Sequence, residues 1–140
     1  MIVIDASLVV DIITAKIDAG VLDNLSQLGS EEIVAPYLLD IEVLNALRKL
    51  HSSKKATNTE CETALSLFNI LPITRKEHTP LLARIWELRA NMTAYDAAYV
   101  ALAEKLNAEL WTTDTKFSNT PNHTAKVNLT SPRPITVTLP

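Results

Sequence analysis

Short β-branched runs alternate along this chain with longer segments of helical spacing, and that alternation restricts the available folds more than any other feature. Ile2–Ile4 reads as a buried strand, followed almost at once by a helix over Ala6–Thr14. A second helical pattern over Asp18–Leu28 ends at Gly29, which suits the residue after a helix, and Ile33–Ala35 is a strand closed by Pro36. From Tyr37 to His51 apolar residues recur at helical spacing. The capping-box pattern TNTE, from Thr57 to Glu60, then opens a helix to about Asn69, completing a helical hairpin. LPI, within Ile70–Thr74, is a candidate third strand, and Thr79 before Pro80 predicts a capped helix to about Arg89. TAYD, from Thr93 to Asp96, opens another helix to about Asn107; Leu110–Thr112 reads as a fourth strand and Lys126–Leu129 as a short last one. Strands joined through helices predict a central, mainly parallel sheet of four to five strands with helices on both faces.

With 140 residues and 47% apolar composition the chain is expected to form one domain over 1–140, with about 120–140 as an extended C-terminal segment. SPRPITVTLP holds three prolines in ten residues, which suits an arm or edge strand better than core. Two glycines, Gly20 and Gly29, build neither a GxGxxG turn nor a P-loop, so dinucleotide and nucleotide-triphosphate sites of those kinds are excluded. Cys61 has no cysteine partner, which fits a reducing, cytoplasmic setting. The apolar N-terminus lacks a basic start and is interrupted by Asp5 and Asp11, so it reads as strand and helix rather than as a signal sequence. No stretch approaches the roughly 18–20 apolar residues of a membrane span, and no membrane partner is expected. A formal net charge of −3 argues against a protein that holds nucleic acid through bulk positive charge.

The chemistry is carried by carboxylates. In a parallel α/β sheet the carboxyl ends of the strands share one edge, where the N-termini of the intervening helices also lie. Asp5 directly follows the first strand, and Asp114 comes two residues after Thr112 at the end of the fourth. Asp96 is one turn into its helix and Glu42 about five residues into another, roughly 7–8 Å along the axis. All four can therefore meet. Such a cluster opposes folding unless a cation offsets it. Oxygen ligands without His or Cys spacing favour Mg²⁺ or Mn²⁺ over zinc, and one or two such ions would activate a phosphodiester and a water toward each other.

Each acid also has a plainer reading. Asp5 and Asp114 stand at strand-to-helix junctions, where Asp is a common cap. Asp96 is spaced from Thr93 like a capping-box partner, and Glu42 shares a polar helix face with Asn45 and Lys49, as a solvated surface would. Tyr95 and Tyr99, four apart beside Ala98, Val100 and Leu102, read as core packing rather than base stacking. His51, His78 and His123 have no spacing that suggests a ligand set.

Taken together, IVIDAS with Asp5, LLDIEVLNAL with Glu42, TAYDAAYVALAE with Asp96 and LWTTDTKF with Asp114 resemble, in order and spacing, the four acidic motifs of PIN domains, particularly the VapC-like toxins of toxin–antitoxin systems. The resemblance spans Ile2 to Phe117 and stops near Asn119. It implies a three-layer α/β/α fold and Mg²⁺- or Mn²⁺-dependent RNA cleavage with Asp5, Glu42, Asp96 and Asp114 as catalytic metal ligands. It further implies a homodimer and inhibition by a cognate antitoxin protein. Ser7 and Thr112 fall where small polar side chains accompany the acids in this family, which implies supporting roles. In RKLHSSKK, Arg48, Lys49, Lys54 and Lys55 form a basic run that could meet RNA or an acidic partner, although such runs are commonly a solvated face. Dimerisation has a second basis in the Tyr37–His51 helix, which carries Leu39, Val43, Leu47 and Leu50 on one side and Ile41 and Leu44 on another. Two alternatives come from other classes. A PIN-like binding or assembly module without nuclease activity would not need four acids, and a haloacid-dehalogenase-type phosphatase would need an Asp where Ser7 stands.

Overall fold

The computed structural model describes residues 1–14 and 31–130. The helix expected over Asp18–Leu28 and the C-terminal SPRPITVTLP segment lie outside the described residues. The described elements run β1 (Ile2–Ile4), α1 (Ala6–Ile13), β2 (Ile33–Pro36), α2 (Leu38–Ser52), α3 (Asn58–Ile70) and β3 (Ile73–Lys76). A 3₁₀ turn (Thr79–Leu81) leads into α4 (Leu82–Glu87), followed by α5 (Ala94–Leu106), β4 (Glu109–Thr112), α6 (Lys116–Asn119) and β5 (Val127–Leu129).

The strands form one five-stranded sheet in the order β3-β2-β1-β4-β5. Every pairing is parallel: Val3 lies opposite Val34 on one side and Leu110 on the other, and Leu110 lies opposite Val127. The strand order reverses between β1 and β4, because the chain first winds outward through β2 and β3 and then returns to the other side of β1. That reversal opens a crevice at the carboxyl ends of β1 and β4.

The helices follow from their apolar spacing. In α1, Leu8, Val9, Ile12 and Ile13 are buried, and in α2 Leu39, Val43 and Leu47 are, each set falling on one side of the helix. These two helices pack on each other and on α3. The fifth helix is different: every residue from Ala97 to Ala103 is buried, and it packs on β1, β2 and β4 on one side and on α4 on another. Four alanines in that stretch let the backbone approach the sheet closely. It ends at Asn107 in the left-handed conformation, φ 49° and ψ 45°, which Asn tolerates better than most residues. The arrangement is the expected three-layer α/β/α fold.

Two boundaries depart from expectation. LPI is not the third strand: α3 continues to Ile70, Leu71 ends it, and β3 starts only after Pro72, which has no N–H for the ladder. Nor does Thr79 cap α4, since the chain enters through a 3₁₀ turn preceded by His78, without a side-chain capping bond, and α4 stops at Glu87. The TNTE box is complete, with Thr57 Oγ1 accepting from Glu60 N and Glu60 Oε1 accepting from Thr57 N. Among the described residues no helix is long and apolar enough to cross a membrane.

Candidate active site

Asp5 emerges from β1 as the N-cap of α1, its Oδ1 accepting from Leu8 N at 3.1 Å. Capping uses only part of its capacity. Ser7 Oγ lies 2.9 Å from both carboxylate oxygens, and Thr112 Oγ1, at the end of β4, donates to Oδ2 at 2.8 Å. Thr112 in turn accepts from Asp114 N at 2.9 Å, so one hydroxyl ties the turn after β4 to the carboxylate after β1. Thr112 is fully buried and Asp5 is 4% exposed. Burial pushes the Asp5 carboxyl up to about 6; the Leu8 N–H and the two hydroxyls oppose that rise, and the nearby Asp114 charge adds to it.

Glu42, on the fifth residue of α2, does not behave as part of a solvated stripe. Asn45 and Lys49 are exposed, whereas Glu42 is half-buried and its Oε1 is shielded from solvent with no hydrogen-bond partner among the described residues. It faces the buried Tyr99 hydroxyl of α5, and each perturbs the ionisation of the other, yet their geometry falls outside ordinary hydrogen-bond limits. Burial raises the Glu42 carboxyl above its usual range, with the Asp96 charge reinforcing the shift and Lys116 opposing it.

Asp96 keeps half of a capping box. Thr93 Oγ1 accepts from Asp96 N at 3.3 Å, while the Asp96 carboxylate turns away and meets Lys116 Nζ at 3.0 Å. The same ammonium meets Asp114 Oδ2 at 3.1 Å, and the other Asp114 oxygen accepts from Lys116 N at 3.0 Å. Burial pulls the Lys116 ammonium down, but the two carboxylates outweigh it and leave its pKa raised. Lys116 is absent from the residues read out of the sequence; its only signal was a basic residue two positions after Asp114.

The four acids thus share one electrostatic neighbourhood: Asp114 acts on Asp5, Asp96 acts on Glu42, and Tyr99 feels Glu42, Asp5 and Asp96 together. Ser7 and Thr112 are in the same network. Arg48, Lys49, Lys54 and Lys55 are not: all four are exposed, and Arg48 already lies six residues beyond Glu42, about 9 Å farther along α2. The two tyrosines separate, with Tyr99 buried as expected and Tyr95 projecting outward at 66% exposure beside Asp96. Core packing was the wrong reading for Tyr95 because position 95 falls on the outward side of the first turn of α5, before the helix is covered.

The donor set suits a hard divalent cation, since every candidate ligand is a carboxylate and one of its oxygens, Glu42 Oε1, is buried without a partner. As they stand, no three Asp, Glu, His or Cys side chains among the described residues are grouped tightly enough to hold an ion. Asp5 is engaged by Ser7, Leu8 and Thr112, and Asp96 and Asp114 are engaged by Lys116. The chemistry of the donor set fits a cation of this class, and at Asp96 and Asp114 the Lys116 ammonium stands beside the oxygens that such an ion would use.

Residues 2–122 match the PIN domain family. The chain belongs to that family. It is 39% identical over 120 residues to Ribonuclease VapC9 of Mycobacterium tuberculosis, covering 86% of this chain and 91% of that one. Ribonuclease VapC1 of the same species is 37% identical over 129 residues, with 91% and 96% of the two chains covered. Among solved structures, a VapBC2 complex from Rickettsia felis bound to a promoter DNA fragment superposes with a TM-score of 0.68. It covers 92% of this chain and 98% of the compared chain at 18% identity, a likeness of fold.

Proposed function

We propose that this PIN domain is a VapC-like endoribonuclease, the toxin of a toxin–antitoxin pair, and that it cleaves RNA phosphodiester bonds with the help of Mg²⁺ or Mn²⁺. The observation that carries this reading is the convergence of Asp5, Glu42, Asp96 and Asp114, from four separate elements and turns, at the crevice where the strand order reverses. Asp5, Glu42, Asp96 and Asp114 would hold the cation. When bound, such an ion makes the phosphorus more electrophilic, makes a water more acidic and stabilises the departing oxygen.

The chain's own residues prepare that chemistry. Ser7 and Thr112 fix the Asp5 carboxylate through both oxygens, and Thr112 also anchors the turn that carries Asp114, so two ligands keep their spacing. Tyr99 is buried beside the cluster, where Glu42, Asp5 and Asp96 all act on its hydroxyl. Because burial brings the Asp5 pKa to about 6, a cation would compete with a proton for this carboxylate below about that pH. An RNA substrate and the lone Cys61 both suit a cytoplasmic setting. The partner in this reading is a cognate antitoxin. A homodimer belongs to the same proposal, because Tyr37, Ile41 and Leu44 lie at i, i+4 and i+7 and are 55%, 69% and 45% exposed, an apolar stripe long enough to bury against a second copy. The test is incubation of the purified protein with total RNA: cleavage is expected with Mg²⁺ or Mn²⁺ and should stop in excess EDTA. Cleavage that persists under chelation would overturn the metal-dependent mechanism.

A further inference from the structure

Lys116 sits where a metal-binding cluster would least be expected to carry a positive charge. Its Nζ lies 3.0 Å from Asp96 Oδ2 and 3.1 Å from Asp114 Oδ2, bridging carboxylates from α5 and from the turn after β4. A divalent ion shared by those carboxylates would need oxygen contacts of about 2.0–2.1 Å for Mg²⁺, and an ammonium left at hydrogen-bond distance from the same oxygens would lie almost against it. Two cations cannot share that space at such a separation without a large repulsion.

The surroundings let the side chain leave without disturbing the fold. Phe117, the next residue, is 2% exposed and anchors α6 in the core, and Lys116 N is held independently by Asp114 Oδ1. The Lys116 side chain itself is 52% exposed, so an alternative rotamer has solvent to enter. Asp96 has a fixed backbone as well, through Thr93. The backbone that carries Asp96 and the Oδ1 of Asp114 are therefore held by bonds that do not involve the ammonium, and a change of lysine rotamer is enough to free the Oδ2 atoms of both residues.

We propose that Lys116 is a built-in counter-ion that competes with the divalent cation for Asp96 and Asp114, so that metal loading displaces its ammonium from the cluster. The inference rests on the metal-dependent reading above and adds a positioning residue that sets how readily the metal enters. In the metal-free protein Lys116 holds two like charges together; in the loaded protein it is moved outward to the rim of the crevice. Its competition is worth a modest factor, because exposed and half-exposed ion pairs contribute little each.

The experiment is Mn²⁺ titration by isothermal calorimetry, without RNA, on wild type, Lys116→Met, Lys116→Arg and Lys105→Met. Lys105 is an exposed lysine in the last turn of α5, so its substitution removes the same formal charge away from the cluster. Lys116→Met is expected to bind Mn²⁺ roughly three- to tenfold more tightly than wild type, with Lys116→Arg and Lys105→Met within about twofold of it. In EDTA, Lys116→Met should melt below wild type, while saturating Mn²⁺ should close that gap. Should the Met variant fail to fold, Lys116→Gln gives the same comparison. Equal or weaker Mn²⁺ binding by the neutral variant overturns the inference and leaves the nuclease reading standing. Binding by none of the four proteins overturns both.

Discussion

Replacing Asp5 with Asn isolates the cost of a buried carboxylate. The folded-state pKa of Asp5, about 6, lies above its ordinary value of 3.8, so the native protein binds this proton more tightly than the unfolded chain does. The sign follows from that order. Well below pH 3.8 both states are protonated and the full native preference is present; above 3.8 the unfolded chain ionises first, and the preference is lost by the time the pH has risen through about 6. At 1.36 kcal/mol per pH unit the loss is about 3 kcal/mol, a ceiling that needs little reduction for solvent because Asp5 is 4% exposed. Asn keeps the acceptor for Leu8 N but turns one acceptor oxygen into an NH₂ group facing the Ser7 and Thr112 hydroxyls. Reversing one of those hydroxyls costs about one hydrogen bond, or ~1 kcal/mol.

Urea unfolding in EDTA, with wild type and Asp5→Asn compared at pH 4, 5, 6 and 7.5, reads the difference directly and cancels the titration of every other group. At pH 4 the variant should be equal to wild type or about 1 kcal/mol less stable. By pH 7.5 it should be more stable by about 1–2 kcal/mol, or roughly 3–6 °C in melting temperature for a chain of this size. Saturating Mn²⁺ should then reverse the order, since it stabilises only the protein that keeps the ligand. A stability difference that stays flat from pH 4 to 7.5 would refute the reasoning, because it would mean that Asp5 ionises as easily in the fold as in water.

Three further outcomes follow from the same geometry. Thr112→Val removes the donor to Asp5 and the acceptor for Asp114 N together, and should lower stability at pH 7.5 by about 1–3 kcal/mol by urea unfolding, and by less at pH 4, where Asp5 is protonated. Asp96→Asn keeps the Thr93 cap on its own backbone N–H, so metal-free stability should change by less than about 1 kcal/mol while RNA cleavage and Mn²⁺-induced stabilisation are mostly lost; full activity would return Asp96 to a capping role. Ile41→Asp, on the exposed stripe of α2, should convert a dimer to a monomer in light scattering, and a wild-type mass of one chain would remove the dimer from the proposal.

What could be read from the sequence divides along a physical line. Positions fixed by local backbone geometry were legible. Asp5 and Thr112 stand at strand ends, and a parallel sheet sends all such ends to one edge, so their meeting needed no knowledge of side-chain conformation. The Thr57–Glu60 box is a bond between residues three apart and formed as expected. Elements whose limits depend on competition between neighbours were less legible: α3 extends through Ile70 because helix propagation continues until Pro72 prevents it, and that shifts β3 to Ile73. Tyr95 and Tyr99 share a helix and a residue type, and only the point at which α5 becomes covered decides which one is buried.

Lys116 shows where sequence reading stops, because its significance is a distance across the fold and not a pattern along the chain. Alone, a lysine in a four-residue helix reads as a solvated group, and a net charge of −3 gives no hint of where the positive charges sit. Four acids brought to one crevice create a demand for positive charge that has to be met in the metal-free protein as well as in the loaded one. Burial raises the pKa of Asp5 and of Glu42 and so makes their ionised forms more costly, while Asp96 and Asp114 share an ammonium. The cluster therefore divides into two halves, carboxyls with raised pKa on the Asp5 and Glu42 side and an ion pair on the Asp96 and Asp114 side. A cation entering the cluster would have to displace the lysine side chain from one half, and its apparent affinity would fall as the pH drops through about 6, where Asp5 takes up its proton.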